Sequence, residues 1–250
     1  FLIESFHLIF GSNDWAYYFL SQICVLVSFL YIWKLSKNFF SNKVVSLLSV
    51  LILEGIVFFN YTTPEFNVYV CQLPLKAMTA YYFWKGINNN KIINWVLLGL
   101  FSVLGILTHY SFIFLILSLL IFLIFFAKKN KKTIYYFFIL FLIFIILLSP
   151  HLFWLFENNF TTIFYALNRT GINEHIWFNH FYNPIIFISK QFGILLLFFL
   201  LFLSIVSFKK KKKINLKKIN QKNLFLLSIS LLPIFLVIFI TLITGAKIRT

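Results

Sequence analysis

The chain has 250 residues, of which 61% are apolar, 11% charged and 36 phenylalanine, with a mean hydropathy of +0.93. These values exclude an ordinary soluble domain, at about 45–50% apolar and 25% charged. The 22 Lys and Arg against 6 Asp and Glu leave a net charge of +16, which in a soluble protein would suggest nucleic acid, but here the charge is scattered among short loops between apolar runs, so nucleic acid is set aside.

A helix needs about 20 residues to cross about 30 Å of hydrocarbon at about 1.5 Å per residue. Cutting the sequence at its polar interruptions predicts seven or eight spans: Trp15–Trp33, Val44–Asn60, Glu65–Trp84, Ile92–Leu107, Ser111–Ala127, Thr133–Pro150, Pro184–Phe208 and Asn223–Thr244. Runs such as 112–126 lack the alternation of a transmembrane barrel strand, so the predicted fold is all-α, a polytopic transmembrane helical bundle read as one domain over 1–250.

The stretch Ile92–Ala127 runs 36 residues without a charge. One long span would put Lys91 and the Lys128–Lys132 cluster on opposite sides, whereas two spans return both to the cytoplasm, as the positive-inside rule favours. The break is therefore predicted near Gly105–Tyr110, at Thr108-His109-Tyr110.

With that cut, Lys34, Lys37, Lys43, Lys85, Lys91, Lys128–Lys132, Lys209–Lys213, Lys217, Lys218 and Lys222 share the cytoplasmic side, 17 of the 22 positive charges. Topogenesis and anionic lipid account for lysines in such loops. Both arginines, Arg169 and Arg249, fall on the opposite, external side with Lys190 and Lys247. Arginine offers phosphate a planar fork of donors where lysine offers a point charge. Arg169 lies in the largest external loop, His151–Asn183. There Pro150–Arg169 reads as one amphipathic surface helix carrying Trp154, Phe160, Phe164 and Tyr165, so Arg169 either handles a phosphate or rests on lipid headgroups.

Ionisable groups inside spans are costly and mark functional interiors. Glu54 is placed about six residues, and Lys76 about eleven, from the external ends of their spans, with Gln72 one turn from Lys76 on the same face. The Lys76 stem could reach toward Glu54 as a structural ion pair. Glu4, His7, Asp14, Thr62, Thr63, Pro64, Glu65, His109, His151, Glu157, Arg169, Glu174, His175 and His180 gather at external ends. Pro64 and Glu65 suit a helix start, where proline fits the first position and a carboxylate is favoured by the dipole, so capping alone could explain Glu65. His175 and His180, five apart beside Glu174, have poor metal spacing, and Cys24 and Cys71 have none.

The order of motifs resembles glycosyltransferase family 39 of the GT-C class, polytopic enzymes that include protein O-mannosyltransferases and the lipid A aminoarabinose transferase. The likeness is carried by Phe10-Gly11-Ser12-Asn13-Asp14-Trp15-Ala16 where a span opens, Thr63-Pro64-Glu65 at an external helix start, and Gly99 and Gly105 followed by Leu107-Thr108-His109-Tyr110. Ser149-Pro150-His151-Leu152-Phe153-Trp154 through Asn158-Asn159-Phe160-Thr161-Thr162, and Asn183-Pro184 through Gln191-Phe192-Gly193, continue it. The motifs span almost the whole chain. The family's Lys is His109 here, its Asp is Glu65, the Asn after Trp154 is Leu155, and a later His aligns with Tyr165. The resemblance places the family's first external loop, with its principal catalytic Asp, before Phe1, and a further segment after Thr250.

The resemblance implies inverting transfer of a sugar from a polyprenyl-phosphate donor lipid to a glycan, lipid or protein acceptor at the external face, and a composition low in acid and rich in Lys, Asn, Ile and Phe suggests a bacterial source and hence a bacterial inner membrane. A leaving lipid phosphate needs cations where charge develops, and an acceptor hydroxyl needs a carboxylate within reach. Arg169, Lys247, Arg249 and His109 are the candidate substrate-binding residues, and Glu65 is the assisting carboxylate or a ligand of a divalent metal. A transporter or lipid flippase would instead use Glu54, Gln72 and Lys76 as an intramembrane path, but the chain lacks the repeated halves of such proteins. A lipid-linked glycan polymerase or ligase would keep its arginines in one loop, unlike Arg169 and Arg249.

Overall fold

The computed structural model describes residues 2–61, 63–89, 91–126, 131–171, 177–207 and 220–247. Among them are eleven α-helices and no strand, an all-α fold as predicted. The helices are α1 (Leu2–Phe10), α2 (Asp14–Ser36), α3 (Lys43–Glu54), α4 (Val57–Asn60), α5 (Val68–Asn89), α6 (Ile92–Thr108), α7 (Ile113–Phe125), α8 (Lys131–Glu157), α9 (Thr161–Arg169), α10 (Asn179–Ser207) and α11 (Gln221–Thr244). Helices α2, α8 and α11 are both long and apolar enough to cross a membrane. The chain forms two compact units, one of residues 1–113 and 128–141, the other of 114–127 and 142–250.

The first unit is built on α2, α5 and α6. Ser21 of α2 donates its hydroxyl to the Thr63 carbonyl, the Tyr31 and Tyr82 hydroxyls meet at 3.2 Å, and the Phe39 and Trp84 rings lie 4.9 Å apart. These contacts advance together along both chains, so α2 and α5 run in the same direction. Helix α6 returns antiparallel to α5: Gln72 meets His109, Tyr82 stacks on Phe101, and the Trp95 indole donates to the Gly86 carbonyl at 3.2 Å. Lys34, Lys37, Lys85 and Lys91 therefore share one end of this unit, and Asp14, Glu65 and His109 the other. Lys34, Lys37 and Lys85 lie over Tyr31, Trp33 and Tyr81, their ammonium groups 4.6, 3.3 and 5.6 Å from the ring centres. Long basic side chains at a membrane boundary use such rings to keep the stem in an apolar setting and the charge at its edge.

The uncharged run 92–127 divides where the charges predicted. Helix α6 ends at Thr108, His109 is extended (φ −164°, ψ 131°), and a 3-10 turn over Tyr110–Phe112 leads into α7. Gly105 makes the turn possible. A methyl group there would lie 2.5 Å from three atoms of the Phe112 ring, which is fully buried.

Other boundaries differ from the sequence reading. The predicted span 44–60 is the 12-residue α3, a bend at Gly55–Ile56, and the single turn α4. Twelve residues make about 18 Å of helix, short of a bilayer core. Glycine lowers helix stability by about 1 kcal/mol, and Gly55 and Ile56 donate to Ile52 and Leu53 in tightened three-residue turns. Helix α5 starts at Val68 because the Asn67 carboxamide oxygen accepts from the Tyr69 and Val70 amides at 2.9 and 3.1 Å. Pro74 lies within it. Helix α8 passes through Pro150 to Glu157, since one proline removes only one backbone donor and is tolerated in apolar helices. The expected surface helix 150–169 is thus split: Asn159 and Phe160 adopt left-handed φ values of 50° and 54°, and α9 begins at Thr161. Helix α1, in the segment before the first span, had no sequence counterpart.

In the second unit α10 and α11 are antiparallel, His180 and Asn183 at the start of one meeting Leu242 and Gly245 at the end of the other. Phe122 of α7 packs edge-on against Phe225 of α11, with ring centres 5.4 Å apart. Helix α9 buries none of its residues, and Phe164 and Tyr165 are exposed, as suits a helix lying on a membrane surface.

Candidate active site

In the first unit the polar end is organised around the start of α5. Thr63 is buried, donates its hydroxyl to the Phe59 carbonyl at 2.9 Å, and is tied to α2 through Ser21. Pro64 and Glu65 form the exposed bend that follows. Glu65 is therefore not the helix-start residue predicted, because Asn67 has taken that place. Its carboxylate is exposed, outside the first turn of α5, and without a partner among the described residues.

Tyr69, in the first turn of α5, places its ring 5.6 Å from that of His109. Gln72, fully buried, donates its side-chain amide to the His109 carbonyl at 3.2 Å. The His109 Nδ1 accepts the Ser111 backbone N–H at 3.2 Å and lies 2.8 Å from the Ser111 hydroxyl. A backbone N–H can only donate, so Nδ1 carries the lone pair and Nε2 the proton in the neutral ring. Where the resembling family has a lysine, this chain presents an imidazole N–H fixed by its own turn.

The intramembrane set is not joined. Glu54 is the last residue of α3 rather than an interior group, Lys76 is exposed on α5, and no ion pair links them among the described residues. Gln72 points its amide toward His109 instead of toward Lys76.

In the second unit two candidate cations come together. Helix α9 ends at Arg169, and the next residue, Thr170, accepts the Lys247 backbone N–H at 2.8 Å. The exposed side chains of Arg169 and Lys247 thus stem from neighbouring backbone positions, and neither has an acidic partner among the described residues. The segment bearing Lys247 is fixed by α10. His180 Nδ1 donates to the Leu242 carbonyl at 2.8 Å, the buried Asn183 donates to the Gly245 carbonyl at 2.7 Å, and Gly245 turns the chain with a φ of +66°. Nothing in the sequence signals these tethers beyond the Asn183-Pro184 motif. Arg249, Glu174 and His175 lie outside the described residues, and no group of three or more His, Cys, Asp or Glu side chains that could hold a metal occurs among those described.

An all-helical integral membrane protein, with Glu65, His109, Arg169 and Lys247 at or beside helix ends, is the class that fold and site define. Residues 1–154 match the family model described as dolichyl-phosphate-mannose-protein mannosyltransferase. The chain belongs to that family and is a membrane glycosyltransferase. The match contains Glu54, Glu65, Gln72, Lys76 and His109, while Arg169, Lys247 and Arg249 lie beyond it. No curated protein and no solved structure matches the chain.

Proposed function

We propose that this chain is a transmembrane glycosyltransferase domain over 1–250 that takes a sugar from a polyprenyl-phosphate donor and passes it, with inversion, to a lipid, glycan or protein acceptor on the external face of a bacterial inner membrane. In the step, the acceptor oxygen attacks the anomeric carbon and gives its proton to a carboxylate. The bond from that carbon to the phosphate oxygen breaks, and its electron pair leaves on the lipid phosphate. Arg169 and Lys247, with Arg249, receive the developing phosphate charge, which electrostatic preorganisation stabilises most effectively. In the first unit, His109 is the candidate substrate-binding residue and Glu65 the candidate assisting carboxylate.

The observation that carries the reading, beside the family, is the hydrogen bond from Lys247 to Thr170, which brings a second cation beside Arg169 with no acidic partner for either among the described residues. Like charges set together are unfavourable unless an anion joins them. The test uses membranes containing the protein and a radiolabelled polyprenyl-phosphate sugar. Arg169→Ala and Glu65→Gln should each abolish transfer while the protein stays inserted, and unchanged turnover in both would remove these residues from the mechanism.

A further inference from the structure

We propose that His180 and Asn183 are positioning residues of the donor-phosphate site: from the first turns of α10 they hold the end of α11 so that Lys247 stays beside Arg169. This rests on the reading above that Arg169 and Lys247 bind the phosphate.

The end of α11 is a point of backbone weakness. The last carbonyls of a helix have no donor within it, and after Thr244 the chain leaves the helix in a left-handed turn at Gly245. The carbonyls of Leu242, in the last turn, and of Gly245, just beyond it, are satisfied by side chains of α10. Asn183 and Ala246 are buried, so the joint is packed as well as bonded. Gly245 lies under the His180 ring, where a methyl group would come within 3.2 Å of Nε2. Beyond the joint only one bond, from Lys247 to Thr170, is needed to place the lysine next to Arg169.

The energetic logic concerns charge. The Lys247 backbone is tied next to Arg169 by a single hydrogen bond, and an untethered chain end would carry the lysine away from it. A side chain that must be recaptured on binding lowers affinity by the fraction of time it spends elsewhere. Both tethers use donors, the His180 Nδ1–H and the Asn183 amide, and neither residue needs to touch the phosphate. Their effect should therefore vanish once Lys247 has no charge to position.

The experiment measures binding of farnesyl phosphate to the detergent-solubilised protein, with inorganic phosphate as a second arm to separate lipid phosphate from the bare anion. Arg169→Ala and Lys247→Ala should each weaken farnesyl phosphate binding about tenfold or more. His180→Phe and Asn183→Leu remove the donors at similar volume and should each weaken it about fivefold, while His180→Asn, which returns an N–H at the Nδ1 position, should restore it. Added to Lys247→Ala, the two donor-removing changes should cause no further loss. If the charge variants bind as the parent does, the phosphate reading fails. If the charge variants weaken binding but the His180 and Asn183 variants do not, or weaken it equally with and without Lys247, or His180→Asn fails to restore it, the positioning role alone is overturned. Equal weakening in the inorganic phosphate arm would support the same role for a bare anion, and binding of inorganic phosphate as tight as that of farnesyl phosphate, unaffected by any variant, would overturn it.

Discussion

Gln72 reaches across from α5 to hold the carbonyl of His109 at 3.2 Å, and its own amide oxygen has no partner among the described residues. The residue is fully buried, so the unpaired oxygen costs stability, about 1–3 kcal/mol for such a group, against about 1 kcal/mol gained by the bond it makes. Gln72→Leu removes both at once. Stability should stay unchanged or rise by up to about 2 kcal/mol, while the turn carrying His109 loses its tie and sugar transfer drops about tenfold or more. Melting in detergent measured beside transfer checks this. A steep loss of stability that parallels the loss of activity would show Gln72 to be a packing residue only.

Glu65 offers a different separation of stability from activity. Had it sat in the first turn of α5, its charge would have contributed about 0.3–1 kcal/mol through the helix dipole. Asn67 provides the cap instead, and the Glu65 carboxylate is exposed and unpartnered among the described residues. Glu65→Gln should leave the melting temperature unchanged and reduce transfer strongly, whereas Asn67→Ala should lower stability by about 0.5–2 kcal/mol. A lower melting temperature for Glu65→Gln than for Asn67→Ala would reverse the two roles.

Gly105→Ala should be the most disruptive small change in the first unit. The added methyl would meet three atoms of the buried Phe112 ring at 2.5 Å, and such overpacking costs about 1–3 kcal/mol. The double variant with Phe112→Leu should recover part of the loss, because a smaller side chain clears the contact. If Gly105→Ala melts with the parent, the α6 turn is looser than this packing implies.

Boundaries set by charge and run length were legible in the sequence: α2, α6 and α11 end near the predicted residues, and the Thr108–Tyr110 break followed from where the lysines lie. Those set by hydrogen bonding were not. Gly55 sits in an apolar run, so hydropathy passes over the bend it allows. Pro64 and Glu65 obey the rules for a helix start, yet the Asn67 side chain captures two amides and moves the start to Val68. Pro150 looked like a stop, but a single missing donor does not end α8. For the candidate site, residue type and side singled out Arg169 and Lys247. Their adjacency arises from a backbone hydrogen bond between segments far apart in the chain, which no local pattern encodes.

The parallel run of α2 and α5 makes a topological prediction in line with the placement of the lysines. Ser21 with Thr63 at one end and Phe39 with Trp84 at the other require the Tyr61 and Asn89 ends of the α4–α5 segment to lie on opposite sides if α5, 22 residues long, crosses the membrane. The lysine-rich end should be cytoplasmic, because positively charged loops are retained there. Tyr61 is exposed, as is Asn89, and the native Cys24 and Cys71 are both buried, so single cysteines introduced at 61 and 89 would be read against a low background. A membrane-impermeant maleimide added to intact cells should label Tyr61→Cys and leave Asn89→Cys untouched until the membrane is opened. The reverse pattern would place the Glu65 and His109 end inside the cell and rule out an external reaction, whereas labelling of both from outside would mean that α5 does not cross.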